Sequence, residues 1–483
     1  MKIAKSLLLG SAAGLVAIVG AQAADLPVKA KAVQYVKICT LYGDGYYYIP
    51  GSDTCIKVGG YIRADYGYNN TGARTANYSG AAGTQTRVQN DFSTRHRANI
   101  QMDARTQSTY GTVRAFMSVH VNNENLGTET VNLSRGFIQF AGFTLGHTKS
   151  FTDTFSLGDN YALQQVQNEY STGANGINQI AYTAEFGSGM SLTVGADEPT
   201  RKPSFNFAAA SMGTGAALTD SHKGMSFPDP YLAFKIQQAW GYWGTTVLAH
   251  DASATYYGAT TPTGHPGDRW GYAILNGGEL KLPWIAPGDR IGFEFNYTMG
   301  APGYAVKNLS NPGLYGSGNQ VAIGWLADAV YTGTAGTALE LTEAWSLGAG
   351  YEHYWNPNLR TSLYGSYAQI RYNNTARAWF AAAAGPACGA PIAGVAVSAF
   401  VAAAGNSCNP NFDFWTAGTR TIWSPLAGLN LGVDIYYTRI KTAFGGTAAL
   451  AANGARPAGT YAISDQGIWS AIFRAQRNFG AGD

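Results

Sequence analysis

The sequence predicts an all-β protein, a transmembrane antiparallel β-barrel of about 16 strands with long external loops and short periplasmic turns. Three observations lead there. Of 483 residues only 13% are Asp, Glu, Lys or Arg, while 61 are glycine and 13% are aromatic. High charge and few aromatics would mark disorder, so that class is excluded. A helical membrane protein is excluded as well, because past residue 23 there is no clean apolar run of the ~18 residues a spanning helix needs. The second observation is that apolar residues alternate with polar ones at period two. The third is that short and long connections alternate between these segments.

In chain order, Lys2 and Lys5 precede an apolar stretch from Ser6 to Gly20, and Ala21, Gln22 and Ala23 supply the small residues of a cleavage site. Residues 1–23 therefore read as a secretory signal peptide. Residues 24–54 read as an N-terminal periplasmic segment, 55–479 as the barrel and 480–483 as a C-terminal extension. A formal net charge of +3, two units of it from the leader lysines, gives no basic excess for nucleic acid. Four cysteines form two close pairs, Cys39 with Cys55 and Cys388 with Cys408. In an oxidising compartment two local disulfides are the economical reading, although four cysteines allow three connectivities. Zinc is the rival reading, but the spacings lack the close cysteine knuckles of structural sites, so neither metal nor cofactor is expected.

The alternation starts at Cys55. Ile56, Val58, Ile62, Ala64, Tyr66 and Tyr68 share one face, with Lys57, Arg63 and Asp65 on the other. Next, His96, Ala98, Ile100, Met102 and Ala104 alternate with Arg95, Arg97, Asn99, Gln101, Asp103 and Arg105, a fully polar face. The pattern returns at 290–299 and 429–438. Soluble sandwiches also alternate, so the connections decide. Short turns fall at 106–108, near 141, at 187–188, 239–241, 283–287, 356–358 and 425–427. Long loops fall at 69–92, 121–129, 150–178, 199–228, 253–268, 300–338, 373–411 and 441–465. Turns at one rim and loops at the other are the habit of outer-membrane barrels, which places this chain in the outer membrane of a Gram-negative cell.

Closure follows from hydrocarbon, which offers an open strand edge no hydrogen-bond partner. About sixteen strands leave a polar, water-filled lumen. Tyr and Trp near strand ends, such as Tyr66, Trp243, Trp355, Trp423 and Trp469, suit interfacial girdles. In the last strand Trp469, Ala471, Phe473, Ala475 and Phe479 share a face that Arg477 interrupts, a charge affordable only near the rim. The Ala-rich stretch 381–404 is broken by Pro386 and Pro391 and reads as a folded external loop rather than a membrane helix.

Several segments resemble the alphaproteobacterial porin family of rhizobia and brucellae. They are Cys39 through Tyr46-Tyr47-Tyr48-Ile49-Pro50-Gly51 to Asp53-Thr54-Cys55 and on to Arg63; Phe137 to Thr144; Thr361 to Tyr367; and Cys408-Asn409-Pro410 with Phe412. The resemblance spans essentially the whole mature chain. It implies a trimeric general-diffusion porin of sixteen strands, passing small hydrophilic solutes across a membrane of lipid and lipopolysaccharide.

In such a channel selectivity comes from pore width and from the charges at the narrowest point. The loop 150–178 is the candidate constriction: from 150 to 200 the chain carries Asp153, Asp159, Glu169, Glu185, Asp197 and Glu198 and no Lys or Arg. Strand parity nominates Arg63, Arg95, Arg97, Arg114, Arg135 and Arg420, with Lys57, Arg105 and Arg474, as the wall facing those acids. The bland alternative for each arginine is a rim or subunit-contact charge, and for each acid a solvated loop charge. Loop acids opposite wall arginines would set a transverse field. Three rivals remain. A solute-specific channel for sugars or organic anions would saturate. A barrel enzyme would need a triad or metal motif, and neither a Gly-x-Ser-x-Gly elbow nor a His-Glu-x-x-His pair is present. A purely structural or adhesive barrel would conduct nothing.

Overall fold

The computed structural model describes residues 37–480 apart from short stretches at 73, 78–84, 126, 174, 208–219, 259–263, 317, 384–396, 402–406, 451 and 453–455. The leader expected at 1–23, Cys388 and the tail after Gly480 lie outside the described residues.

Sixteen long strands follow one another: β1 (Cys55–Tyr68), β2 (Phe92–Ser108), β3 (Gly111–Glu124), β4 (Thr130–Phe140), β5 (Phe143–Thr148), β6 (Ile177–Gly187), β7 (Met190–Asp197), β8 (Asp229–Gln238), β9 (Gly241–Asp251), β10 (Trp270–Lys281), β11 (Arg290–Met299), β12 (Glu343–Asn356), β13 (Leu359–Arg371), β14 (Phe412–Leu426), β15 (Leu429–Lys441) and β16 (Gln466–Gly480). Each pairs antiparallel with the next, and β1 pairs with β16 from Gly59 opposite Gly480 to Tyr68 opposite Ala471, which closes the barrel. All seven short turns lie where the alternation puts them, the first shifted to residues 109–110 because β2 runs on to Ser108. Both residues of the two-residue turn Ala141–Gly142 have positive φ, 49° and 86°, the twist that joins adjacent strands tightly.

Parity sorts the side chains as hydrocarbon requires. Val58, Ile62, Ile100, Ile138, Leu145, Val194, Val247, Leu347 and Leu363 are exposed on the outer surface, while Asp65, Arg95, Arg97, Asn99, Glu294, Glu352 and Asp434 are buried within the barrel. Two aromatic belts bound the apolar band. Near the loop end Trp415 packs on Tyr437 (centroids 5.4 Å apart) and Tyr437 on Trp469 (5.1 Å), beside Trp345 on Tyr367 (5.2 Å). Near the turn end Tyr110, Trp240, Trp284, Trp355 and Trp423 stand exposed. Arg477 sits at the turn rim, opposite Leu429, and donates to the Ala427 carbonyl, so its charge avoids the hydrocarbon.

The N-terminal segment is pinned beneath the barrel. A disulfide joins Cys39 to Cys55, the first residue of β1, and Tyr47–Tyr48 adds a two-residue strand to β1. Closing a loop of this length contributes about 3 kcal/mol in the chain-entropy account. Cys408 is disulfide-bonded as well, whereas Cys388 falls outside the described residues.

The largest apolar core lies inside the barrel mouth. External loops form a three-stranded sheet (Ser204–Asn206, Ala329–Tyr331, Glu340–Leu341) and a five-stranded one (Gly313–Gly316, Gln320–Ile323, Val397–Val401, Gly446–Leu450, Gly459–Ile463). Phe205, Leu314, Val321, Ile323, Trp325 and Val330 from these loops pack with Phe414 and Ile440 of the wall and with Leu157, Tyr161 and Leu163 of the loop after β5. The loops therefore pack against the wall at β12–β16, and three cavities lie beside β1–β9, one of them reaching Arg474 of β16.

Candidate functional site: an inward loop and an arginine wall

The loop 149–176, between β5 and β6, crosses the lumen. Its one helical turn, α1 (Leu157–Tyr161), starts at Ser156, whose hydroxyl accepts from the Asp159 amide at 3.1 Å. The Glu169 carboxylate accepts from the Leu157 and Gly158 amides at 2.6 and 3.1 Å, so two otherwise orphaned donors are satisfied inside the loop.

Wall side chains then fasten the loop around half the barrel. Tyr161 donates to Glu279 of β10 at 3.1 Å, and Gln164 donates to the Tyr364 hydroxyl of β13 at 2.9 Å. The Leu163 amide donates to Asp434 of β15 at 2.6 Å, while Arg474 of β16 donates to the Leu163 carbonyl at 2.9 Å. Arg420 of β14 donates to the carbonyls of Asn160 and Ala162 at 2.8 and 3.2 Å and is itself paired with Glu352. The wall also makes room sterically. A Cβ on Gly350 would stand 2.6 Å from the Tyr161 ring, and one on Gly292 2.5 Å from the Phe155 ring. Bare backbone at these inward positions is what lets the two aromatics lie flat on the barrel.

The three nominated acids separate into three places. Arg63, Arg95, Arg97 and Arg135, with Arg474 and Arg74, line one cavity of about 260 Å³, and Asp159 faces them across it. Asp159 is the nominated loop acid that lines this cavity together with the wall arginines. Asp153 is turned to the other side of the loop. It accepts from the Thr172 amide at 2.6 Å, pairs with Lys149 at 3.3 Å and borders a wider cavity of about 780 Å³ that also contains Lys235. Glu169 is enclosed as the helix cap, and burial beside Asp159 pushes its carboxyl up to about 8.

Two arginines serve elsewhere than at the narrow cavity. Arg114 lies near the turn end, paired with Asp103 at 2.8 Å, because it sits only three residues from the start of β3. Arg420 is an anchor for the loop on the packed side. Of the others, Arg95 pairs with Asp65 at 2.5 Å, Arg474 shares that carboxylate, and Arg135 donates to the Gly173 carbonyl at 2.5 Å. Lys57 and Arg105 stack over Tyr46 under the barrel.

Sequence reasoning did not single out Arg74, His120 or Lys149. Arg74 sits on the first external loop, where no strand parity applies; it binds Glu124 at 3.0 Å, and its carbonyl accepts from the Gln165 amide. His120 had a signal, since it alternates inward on β3, directly opposite Asn99. Lys149 precedes the stretch read as free of basic residues by one position. A further cavity of about 470 Å³ adjoins the narrow one toward the external loops and shares Arg74, Arg97, His120 and Ser134 with it.

Comparison with known proteins bears on the fold and the family. The structure of the outer membrane channel DcaP of Acinetobacter baumannii matches the fold with a TM-score of 0.55 at 13% identity, covering 89% of this chain and 99% of that one. The porin Omp2b of Brucella suis is 34% identical over 211 residues, 40% of this chain and 54% of its own. The protein y4fJ of Sinorhizobium fredii, whose name proposes an outer membrane protein, is 33% identical over 187 residues, 38% of this chain and 51% of its own. The chain thus spans about half the length of the curated relatives it matches. The barrel is that of the outer membrane of a Gram-negative bacterium. The family model described as the porin subfamily matches residues 25–472, nearly the whole sequence, and the chain belongs to that family.

Proposed function

We propose that the protein is a general-diffusion porin, a passive channel for small hydrophilic solutes and ions in which no bond is made or broken. The observation that carries this reading is the loop 149–176, fastened to opposite walls and narrowing a polar lumen that stays open beside β1–β9. A plug or a scaffold would have no use for adjoining solvated cavities lined by charge. Asp159 opposite Arg63, Arg95 and Arg97 sets a field across the narrow cavity, which favours polar solutes that can orient in it.

The working unit is a homotrimer embedded in lipid and lipopolysaccharide. Support comes from a low stretch of wall. β5 has six residues and β7 eight, short of the ~9–11 a lipid-spanning strand needs. At about 3.4 Å per residue β5 extends roughly 20 Å before any tilt, less than the ~25 Å apolar band. Leu133, Ile138, Phe143, Leu145, Ile180 and Val194 are exposed around it, an apolar surface that neighbouring copies would cover.

The test is conductance in a planar bilayer. Ohmic current rising linearly with salt, in sets of three steps, is the expected result. Absence of conductance from folded, heat-modifiable protein would overturn the reading, and saturation by a sugar would favour a solute-specific channel instead.

A further inference from the structure

We propose that the arginine wall holds a binding cradle for one small oxyanion, a phosphate or carboxylate group, centred on Arg63 and Arg97; the inference rests on the porin reading and names the solute class its narrow cavity selects. Arg63 of β1 and Arg97 of β2 are directly opposed in the ladder, both pointing into the lumen. Like charges facing each other across strands are destabilising unless something of opposite sign stands between them.

The same sheet shows how such a conflict is settled within the chain. Arg105 and Arg114 are also cross-strand partners, and Asp103 binds both at 2.8 Å. Arg95 and Arg474 likewise share Asp65, at 2.5 Å each. Arg63 and Arg97 receive no such carboxylate. Arg63 donates to the Gln476 amide oxygen at 2.7 Å, and Arg97 donates to that of Asn122 at 2.6 Å. Among the described residues neither forms an ion pair. Their remaining N–H groups stand with the Tyr61 hydroxyl at the cavity of about 260 Å³. Tyr61 lies under the Arg63 guanidinium at 4.7 Å and fixes its plane. Two oriented guanidiniums and a phenol match an oxyanion, which accepts paired N–H donors; a halide accepts no such fork.

The neighbours on every side define the selectivity. Asp159 across the cavity repels anions and keeps occupancy brief, while Arg74, Arg95, Arg135 and Arg474 supply the surrounding positive field. Binding strong enough to enter and weak enough to leave is what conduction requires.

The experiment titrates potassium phosphate, and separately potassium acetate, against a fixed potassium chloride background. Single-channel current and calorimetry on detergent-folded protein are read in parallel. Saturable binding and saturable current reduction by phosphate are expected, weakened about tenfold or more when either arginine becomes glutamine and abolished in Arg63→Gln/Arg97→Gln. Arg439→Gln, at the external rim, should bind as the parent does. Equal responses to phosphate and acetate assign a general oxyanion cradle, and a response to phosphate alone narrows it to phosphate. Linear currents with no heat of binding would overturn the cradle while leaving the porin intact. Binding without conductance would keep the cradle and overturn the porin.

Discussion

Asp153 and Asp159 have the same side chain on the same loop, yet their partners give them different work. Asp159 faces the arginine cavity, whereas Asp153 is consumed by the Thr172 amide and the Lys149 ammonium. Asp159→Asn should therefore move the reversal potential in a salt gradient toward anions. Asp153→Asn should move it less while lowering the thermal midpoint, because it removes a half-exposed ion pair and weakens the acceptor of the Thr172 amide. Equal shifts from the two variants would mean that the loop turns its other side to the arginines. Strand parity carried the arginines well, since Arg63, Arg95, Arg97 and Arg474 alternate with lipid-facing residues. It carried no information about the acids, whose direction is set by turns of the loop and by a cap such as Glu169, none of which has a period.

The inward loop holds its place because its aromatics lie on bare backbone. Gly350→Val should force the Tyr161 ring from the wall, at an overpacking cost of about 1–3 kcal/mol. The expected readout is a larger, noisier conductance from a barrel of unchanged heat-modifiability; current identical to the parent would show that the glycine is no seat. The external loops have a chemical latch of their own. His222, on the loop between β7 and β8, donates to Asp328 at 2.9 Å, with Asp220 and Lys202 adjacent. Burial lowers the His222 pKa, yet Asp328 outweighs it and the net shift is upward; Asp328 is held below the usual carboxylate range by His250 and His222. A raised histidine contributes stability in full below its ordinary value near 6.5, and that contribution is lost as pH rises through the folded value. Cleavage of the external loops by protease should accordingly quicken as the medium turns alkaline, and His222→Gln should flatten that dependence. The alternation and the turn residues made every barrel strand readable in advance. The small sheets of the cap were not readable, because strands of two to five residues are too short to show a period and two of their pairings, 204–206 with 329–331 and 320–321 with 462–463, join segments more than a hundred positions apart.

At the scale of the molecule, the low wall at β5 and β7 argues that one barrel alone is poorly matched to its membrane. An Arg at Leu145 or Val194, facing outward on these strands, should dissociate the proposed trimer in mild detergent. An Arg at Leu363, on the tall side, should instead hinder insertion, at about 2–4 kcal/mol for a charge at mid-bilayer. Dissociation by both or by neither would remove the low wall as the contact. Reduction of the Cys39–Cys55 bond should cost about 3 kcal/mol and free the N-terminal segment without opening the barrel.

The closure of β1 on β16 joins residues some four hundred positions apart, and the inward loop is held from both sides of that seam. Arg474 of β16 grips the Leu163 carbonyl and shares Asp65 with Arg95, so these contacts cannot form until the final strand has arrived. Assembly is thereby ordered in part: the anchors on β10, β13, β14 and β15 need only the strands before the seam, whereas the Arg474 grip is added when the last strand closes on the first. A chain stalled before its C-terminal strand would keep the loop moored on one side and loose on the other.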